Sequence, residues 1–311
     1  MIQNITVLGS GVMGHGIAQN YAFAGYMVHM YDLKEAYLTK ALTLIDANLS
    51  LLIRENIITQ EEKDSTLERI TVTTDLVTAT KNADFITEAV PEVLDIKHTL
   101  FKKLEEVTGK DTIIASNTST FSVAQLAEKM ENPNRLIITH FFNPAQIVPL
   151  VEIVKHDKTS DSVVDTAMNL MKAIGKSPVV LNKDVPGFIA NRLQAALVRE
   201  AFYLLDEGVA DAESIDLALT DGPGFRWAFS GPFKTADYGG HDIWKSVVEN
   251  LAPELSKAEI VPKFIKEKVE NGKLGTKSGE GIYTYSNSVV EEKVTQRDEN
   301  LIRLKQIKSR K

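Results

Sequence analysis

Three glycines in Gly9-Ser10-Gly11-Val12-Met13-Gly14 follow a short β-branched run and lead into a helix-forming segment. That spacing suits a bound phosphate. Gly9 permits a tight turn, Gly11 lets the backbone approach a pyrophosphate, and Gly14 allows close helix–strand packing, while Val12 and Met13 complete the turn beneath the helix N-terminus. The next strand ends at Asp32, 18 residues after Gly14, where a carboxylate can accept hydrogen bonds from both ribose hydroxyls and repel a 2′-phosphate. The pattern predicts NAD in preference to NADP, with Lys34 a small counterweight.

Hydride transfer from an alcohol also needs a base for the hydroxyl proton. His140 closes an apolar strand in Thr139-His140-Phe141-Phe142-Asn143-Pro144, and Glu152 is the single acid in Val148-Pro149-Leu150-Val151-Glu152-Ile153-Val154. A carboxylate inside a buried strand is costly unless paired. Pairing it with His140 would remove that cost and fix the imidazole tautomer; the plainer alternative is a core histidine and a solvent-facing glutamate. Ser116-Asn117-Thr118-Ser119-Thr120 brings hydroxyls to the end of another strand, or else caps a helix beginning near Ser122. Asn191, on an apolar helix, needs a partner or a local backbone bond.

These residues must be positioned by a larger pattern. Strands are expected at Ile5-Leu8, Val28-Tyr31, Ile70-Val72, Phe85-Ile86, Thr112-Ala115, Leu136-Thr139, Val148-Val154 and Pro178-Leu181, alternating with helices as in a parallel, doubly wound α/β sheet. Residues 34–69 read as an inserted two-helix hairpin that breaks near Arg54-Glu55-Asn56. After Pro186 the period becomes helical, which divides the chain into a Rossmann-like domain, 1–186, and a smaller all-α domain, 187–311. The latter is expected to hold a long helix from Gly187 to Asp206, helices over Ser214-Leu219, Ala236-Glu249 and Val261-Glu270, one strand at Ile282-Tyr285, and a polar tail helix from Val289 to Lys311.

With no cysteine, the chain offers no disulfide, thiolate nucleophile or zinc–thiolate site, and no metal site is expected. A net charge of -7 gives no basic footprint for nucleic acid or an anionic membrane, so the expected partner is a small molecule. No targeting segment or long apolar run is evident, and a cytoplasmic location is expected.

Together these segments resemble the 3-hydroxyacyl-CoA dehydrogenase family over nearly the whole chain. The likeness rests on the glycine turn, Glu88-Ala89-Val90-Pro91-Glu92, Ser116-Asn117-Thr118-Ser119, His140-Phe141-Phe142-Asn143-Pro144, Leu150-Val151-Glu152, Pro186-Gly187-Phe188, Asn191-Arg192-Leu193 and Lys277-Ser278-Gly279-Glu280-Gly281-Ile282-Tyr283, in the family's order. It implies reversible NAD-linked oxidation of a short L-3-hydroxyacyl thioester such as 3-hydroxybutyryl-CoA, the chemistry of fatty-acid β-oxidation. It also implies His140 as general base, Glu152 as its electrostatic partner, and Ser119 and Asn191 as holders of the reacting oxygen. Glu92, Lys97, Ser119 and Asn143 would meet the nicotinamide end of the cofactor, and the helical domain would form a homodimer.

The same likeness includes departures that bear on substrate. Family members acting on CoA thioesters usually carry lysines at the hairpin turn, where this chain has Arg54-Glu55-Asn56 followed by Glu61 and Glu62. The segment from Asp221 to Phe233 resembles relatives that oxidise free 3-hydroxy acids, L-gulonate 3-dehydrogenase and L-carnitine dehydrogenase. In that reading Arg226 would clamp the substrate carboxylate.

Overall fold

The computed structural model describes residues 2–309, so Arg310 and Lys311 of the expected tail helix lie outside the described residues. The chain forms two units: one runs through Ile189 and includes the tail segment Leu301–Lys305, and the other holds Ala190–Asn300 and the residues beyond Lys305.

The first unit is built on eight strands, β1 (Asn4–Leu8), β2 (Met27–Tyr31), β3 (Ile70–Thr73), β4 (Phe85–Glu88), β5 (Ile113–Ser116), β6 (Leu136–Phe141), β7 (Leu150–Lys155) and β8 (Ser177–Val180). They form one sheet in the order β3-β2-β1-β4-β5-β6-β7-β8. Successive side chains serve opposite cores: Ile113, Ala115, Ile137, Val151 and Ile153 pack on one face, whereas Ile114, Leu136, Ile138 and Val154 pack on the other. Burial of both faces explains why the strands read as apolar runs.

One pairing departs from the expected parallel sheet. β6 and β7 are antiparallel, which sets His140 directly opposite Glu152, while β7 and β8 are parallel again. The connection between β6 and β7 is too short for a crossover helix, so the chain reverses as a hairpin.

The helices of this unit are α1 (Gly14–Phe23), α2 (Glu35–Arg54), α3 (Gln60–Glu68), α4 (Leu76–Thr80), α5 (Leu94–Val107), α6 (Val123–Ala127) and α7 (Asp161–Ala173). α2 and α3 are the inserted hairpin. α2 is long and apolar enough to cross a membrane by length and composition, but its Leu38, Ala41, Ile45 and Leu49 are buried in the unit's core. Thr59 caps α3 reciprocally with Glu62, so that acid serves the helix start.

The second unit is helical: α8 (Ala190–Asp206), α9 (Ala212–Thr220), α10 (Pro223–Trp227), α11 (Pro232–Gly239), α12 (His241–Leu251), α13 (Lys263–Glu270) and most of α14 (Asn287–Ser309). Three expectations are corrected here. The long helix begins at Ala190, not Gly187, because Gly187 and Phe188 both hold left-handed backbone, φ 77° and 53°. The helix expected over Ala236-Glu249 is two helices, broken at Gly240 with φ 89°. Ile282-Tyr285 makes no strand, since only the isolated bridges Gly275↔Glu280 and Glu280↔Thr284 form around a glycine-rich turn.

Lys176, just before β8, ties the reversal between β6 and β7. Its Nζ donates to Ala145 O at 2.5 Å and Val148 O at 2.9 Å, and Asn20 of α1 donates to the same Ala145 O at 2.9 Å. Burial, and secondarily repulsion from Lys305, pushes the Lys176 ammonium down to about 7. A lysine depressed from about 10.4 makes the folded state bind fewer protons than the unfolded chain between those values. Its contribution therefore favours folding as pH rises from about 7 towards 10, by at most about 1.4 kcal/mol per pH unit. Wild-type Tm should gain from this term between pH 7 and 9, and Lys176→Met should flatten the slope; thermal melts showing equal slopes would refute the assignment.

Candidate active site

The glycine turn has the shape expected of a phosphate cradle. Gly9 has φ 92° and a Cβ there would lie 2.6 Å from Ala89 O, while a Cβ on Gly14 would lie 1.7 Å from Gly9 O. A Cβ on Gly11 would meet nothing within 4 Å, so the turn is open on that side. Met13 supplies no side-chain cap to α1, which leaves the helix's first N–H groups suited to an anion. Asp32 is held against the turn: its Oδ2 accepts from Ser10 N at 2.8 Å and Ser10 Oγ at 2.7 Å, and its Oδ1 accepts from Leu33 N at 2.7 Å. These residues fit a dinucleotide with unmodified ribose, and NAD would be held by Gly9, Gly11, Val12, Met13, Gly14 and Asp32.

Beyond the ends of β4 and β5 stands a second polar group. Lys97 of α5 is 1% exposed and lies between Glu88, at 2.6 Å, and Glu92, at 3.1 Å. Glu92 Oε1 gathers the next turn, accepting from Thr118 Oγ1 at 2.5 Å, Ser119 N at 3.0 Å, Thr120 N at 3.1 Å and Thr120 Oγ1 at 2.9 Å. Burial works to raise the Glu92 carboxyl, but bonds from Thr118 and Thr120 and the Lys97 charge outweigh it and hold it below the usual carboxylate value. Ser119 is thereby fixed through its backbone. The segment 116–120 is not the helix cap; Ser122 caps α6 with Gln125.

The β6–β7 pair carries the third group. His140 is 3% and Glu152 1% exposed, and His140 Nδ1 lies 2.9 Å from Glu152 Oε2. Glu152 Oε1 accepts from Ile189 N at 2.9 Å, so the carboxylate is satisfied on both oxygens. Phe142 and Phe188 flank the imidazole, with ring centroids at 4.5 Å and 5.4 Å. With Nδ1–H directed at a carboxylate, Nε2 is the nitrogen left to accept a proton. Asn143 follows β6 and is exposed, and the neighbouring Asn117 accepts from Phe141 N through Oδ1 at 2.9 Å.

Asn191 and Arg226 belong to the second unit, in the first turn of α8 and on α10, where Arg226 is exposed. Sequence reasoning missed Glu88, the Ile189 amide on Glu152, the left-handed Phe188 and Lys176. Glu88 was within reach: it is an acid at the end of the apolar β4, the same signal that singled out Glu152.

Comparison with known proteins gives the family of the chain. Residues 4–185 match the family described as 3-hydroxyacyl-CoA dehydrogenase, NAD binding domain, and residues 187–285 match its C-terminal domain. The chain is 34% identical over 307 residues to a 5-formyl-3-hydroxy-2-methylpyridine 4-carboxylate 5-dehydrogenase of Mesorhizobium japonicum, covering 99% of this chain and 98% of that one. A solved structure of a dehydrogenase of that name, described as an NAD+-dependent dismutase, superposes with a TM-score of 0.92 at 34% identity, covering 99% and 98%. Human mitochondrial hydroxyacyl-coenzyme A dehydrogenase is 36% identical over 293 residues, 92% of each chain. L-Carnitine dehydrogenase of Streptomyces coelicolor is 34% identical over 255 residues, 82% of this chain and 79% of that one.

Proposed function

This chain belongs to the 3-hydroxyacyl-CoA dehydrogenase family, NAD-dependent oxidoreductases, and within it we propose that it oxidises the hydroxyl of a small free carboxylic acid in preference to a CoA thioester. The observation that carries this reading is at the hairpin turn. The tail residue Arg303 grips Glu55 with two bonds, Nε to Oε2 at 2.9 Å and Nη2 to Oε1 at 2.8 Å, and Ile302, 4% exposed, packs with Leu51 and Ile147. At the turn where thioester-using relatives usually present lysines, this chain thus carries an acid paired by its own tail, with Arg54 and Asn56 exposed on either side. Lys63, the hairpin's nearby lysine, is itself committed to Asp46 at 2.7 Å and Ser50 at 2.8 Å. The Mesorhizobium relative, which matches this chain almost end to end, is named for a pyridine carboxylate. The thioester remains the second reading, favoured by the human relative's name and 36% identity.

In either reading His140 Nε2 takes the hydroxyl proton, and Glu152 stabilises the imidazolium that results. NAD, when bound, supplies the hydride acceptor. Ser119, at the same strand ends as His140, would hold the reacting oxygen, and Arg226, exposed on α10, is suited to a carboxylate. The buried, aromatic-lined imidazole excludes water from the proton's path.

A homodimer is the assembly we propose. Among the described residues none in α8 to α13 is buried, and Phe225, Phe233 and Tyr238 are 75%, 86% and 78% exposed. Helices with so much apolar surface gain by covering it against a second copy. Light scattering should give twice the chain mass at micromolar concentration, and a monomer there would refute the dimer.

Substrate choice is read from rates. NAD reduction with L-gulonate, L-carnitine, L-3-hydroxybutyrate and a hydroxymethyl pyridine carboxylate should exceed the rate with L-3-hydroxybutyryl-CoA, and His140→Gln should lower whichever rate is measurable by about a hundredfold or more. Turnover of the thioester alone would overturn the free-acid reading. Unchanged turnover in the His140 variant would overturn the base.

A further inference from the structure

Glu88 has no part in the chemistry above, yet it is the most completely enclosed carboxylate among the groups around the site. It ends β4 with 0% exposure, and its Oε1 accepts from Lys97 Nζ at 2.6 Å and Val90 N at 2.9 Å, while Oε2 accepts from Ser116 Oγ at 2.6 Å. Its main-chain oxygen accepts from Asn117 N at 2.8 Å, and the next residue, Ala89, lies under Gly9. One residue thus joins the phosphate turn, the buried lysine and the start of the 116–120 turn.

We propose that Glu88 is a positioning residue for the nicotinamide end of the cofactor site, acting through Lys97 and Glu92 on Ser119. A buried ammonium held by one carboxylate that is 35% exposed would be drawn outwards with it. Glu88 holds the ammonium from the interior side. Lys97 is therefore a fixed point on which Glu92 rests, and Glu92 spends its Oε1 on the 118–120 turn. Burial pushes the Glu88 carboxyl up, and Lys97 first, then the bonds from Ser116 and Val90, oppose that rise. The adenosine end of the site, around Asp32 and Ser10, receives no side-chain bond from Glu88.

The proposal rests on the reading that Glu92 and Ser119 meet the nicotinamide end, and it predicts an effect on one half of the cofactor. The full-length protein with Glu88→Gln, which keeps shape and removes charge, and with Glu88→Ala should be titrated with NADH and with ADP-ribose, with NADH followed by its own fluorescence. ADP-ribose affinity should stay within about twofold of wild type. The emission shift of bound NADH should diminish and its affinity fall about fivefold or more, and Glu92→Gln should do the same. Should the alanine variant fail to fold, the isosteric glutamine variant carries the test. Parallel losses of ADP-ribose and NADH affinity would make Glu88 merely structural and overturn the proposal. A shift in Glu92→Gln with none in Glu88→Gln would overturn Glu88 alone, whereas no shift in Glu92→Gln would overturn the placement of Glu92 and the proposal with it.

Discussion

The contact between His140 Nδ1 and Glu152 Oε2, 2.9 Å apart and sealed from water, is the interaction on which the site's chemistry depends. Neither partner is tolerable alone at that depth. An unpaired carboxylate in an apolar strand costs several kcal/mol, so Glu152 requires both the imidazole and the Ile189 amide that meets its other oxygen. The sheet serves this requirement directly: reversing β7 against β6 makes the two residues cross-strand neighbours, a placement that a fully parallel sheet would not give. Lys176 and Asn20 then hold the short reversal that joins the two strands.

A second buried charge group repeats the logic two strands away. Glu88, Lys97 and Glu92 run from the interior outwards, and the outermost carboxylate organises the hydroxyl-bearing turn. Both groups stand at the same end of the sheet as the glycine turn, where strand ends and a helix N-terminus converge on the crevice expected of doubly wound folds. Fixed charges placed by rigid strands keep their orientation without reorganising, which is the condition for electrostatic help to a reacting proton.

Much of this was legible in the residues. The glycine turn and Asp32 follow a spacing set by the geometry of a strand, a turn and a helix, and the structure places Asp32 against Ser10 as that spacing requires. His140 and Glu152 stood out because polar residues in apolar strands demand partners. The antiparallel reversal was hidden, because β7 is buried on both faces and its composition reads the same in either direction. Gly240 broke a helix whose periodicity looked continuous, since periodicity registers side chains and not backbone handedness. The apolar positions of the tail suited it to docking, but the grip of Arg303 on Glu55 spans 248 residues and no local spacing pairs the two, although it bears on the choice of substrate.

Glu152 fixes the tautomer in which His140 Nε2 is the base. Nitrogen-15 NMR of the wild-type protein labelled at histidine, recorded with the imidazole neutral, reads that tautomer directly. The prediction is a proton on Nδ1 in the wild type and loss of that preference in Glu152→Gln. A wild-type His140 carrying its proton on Nε2 would contradict the claim.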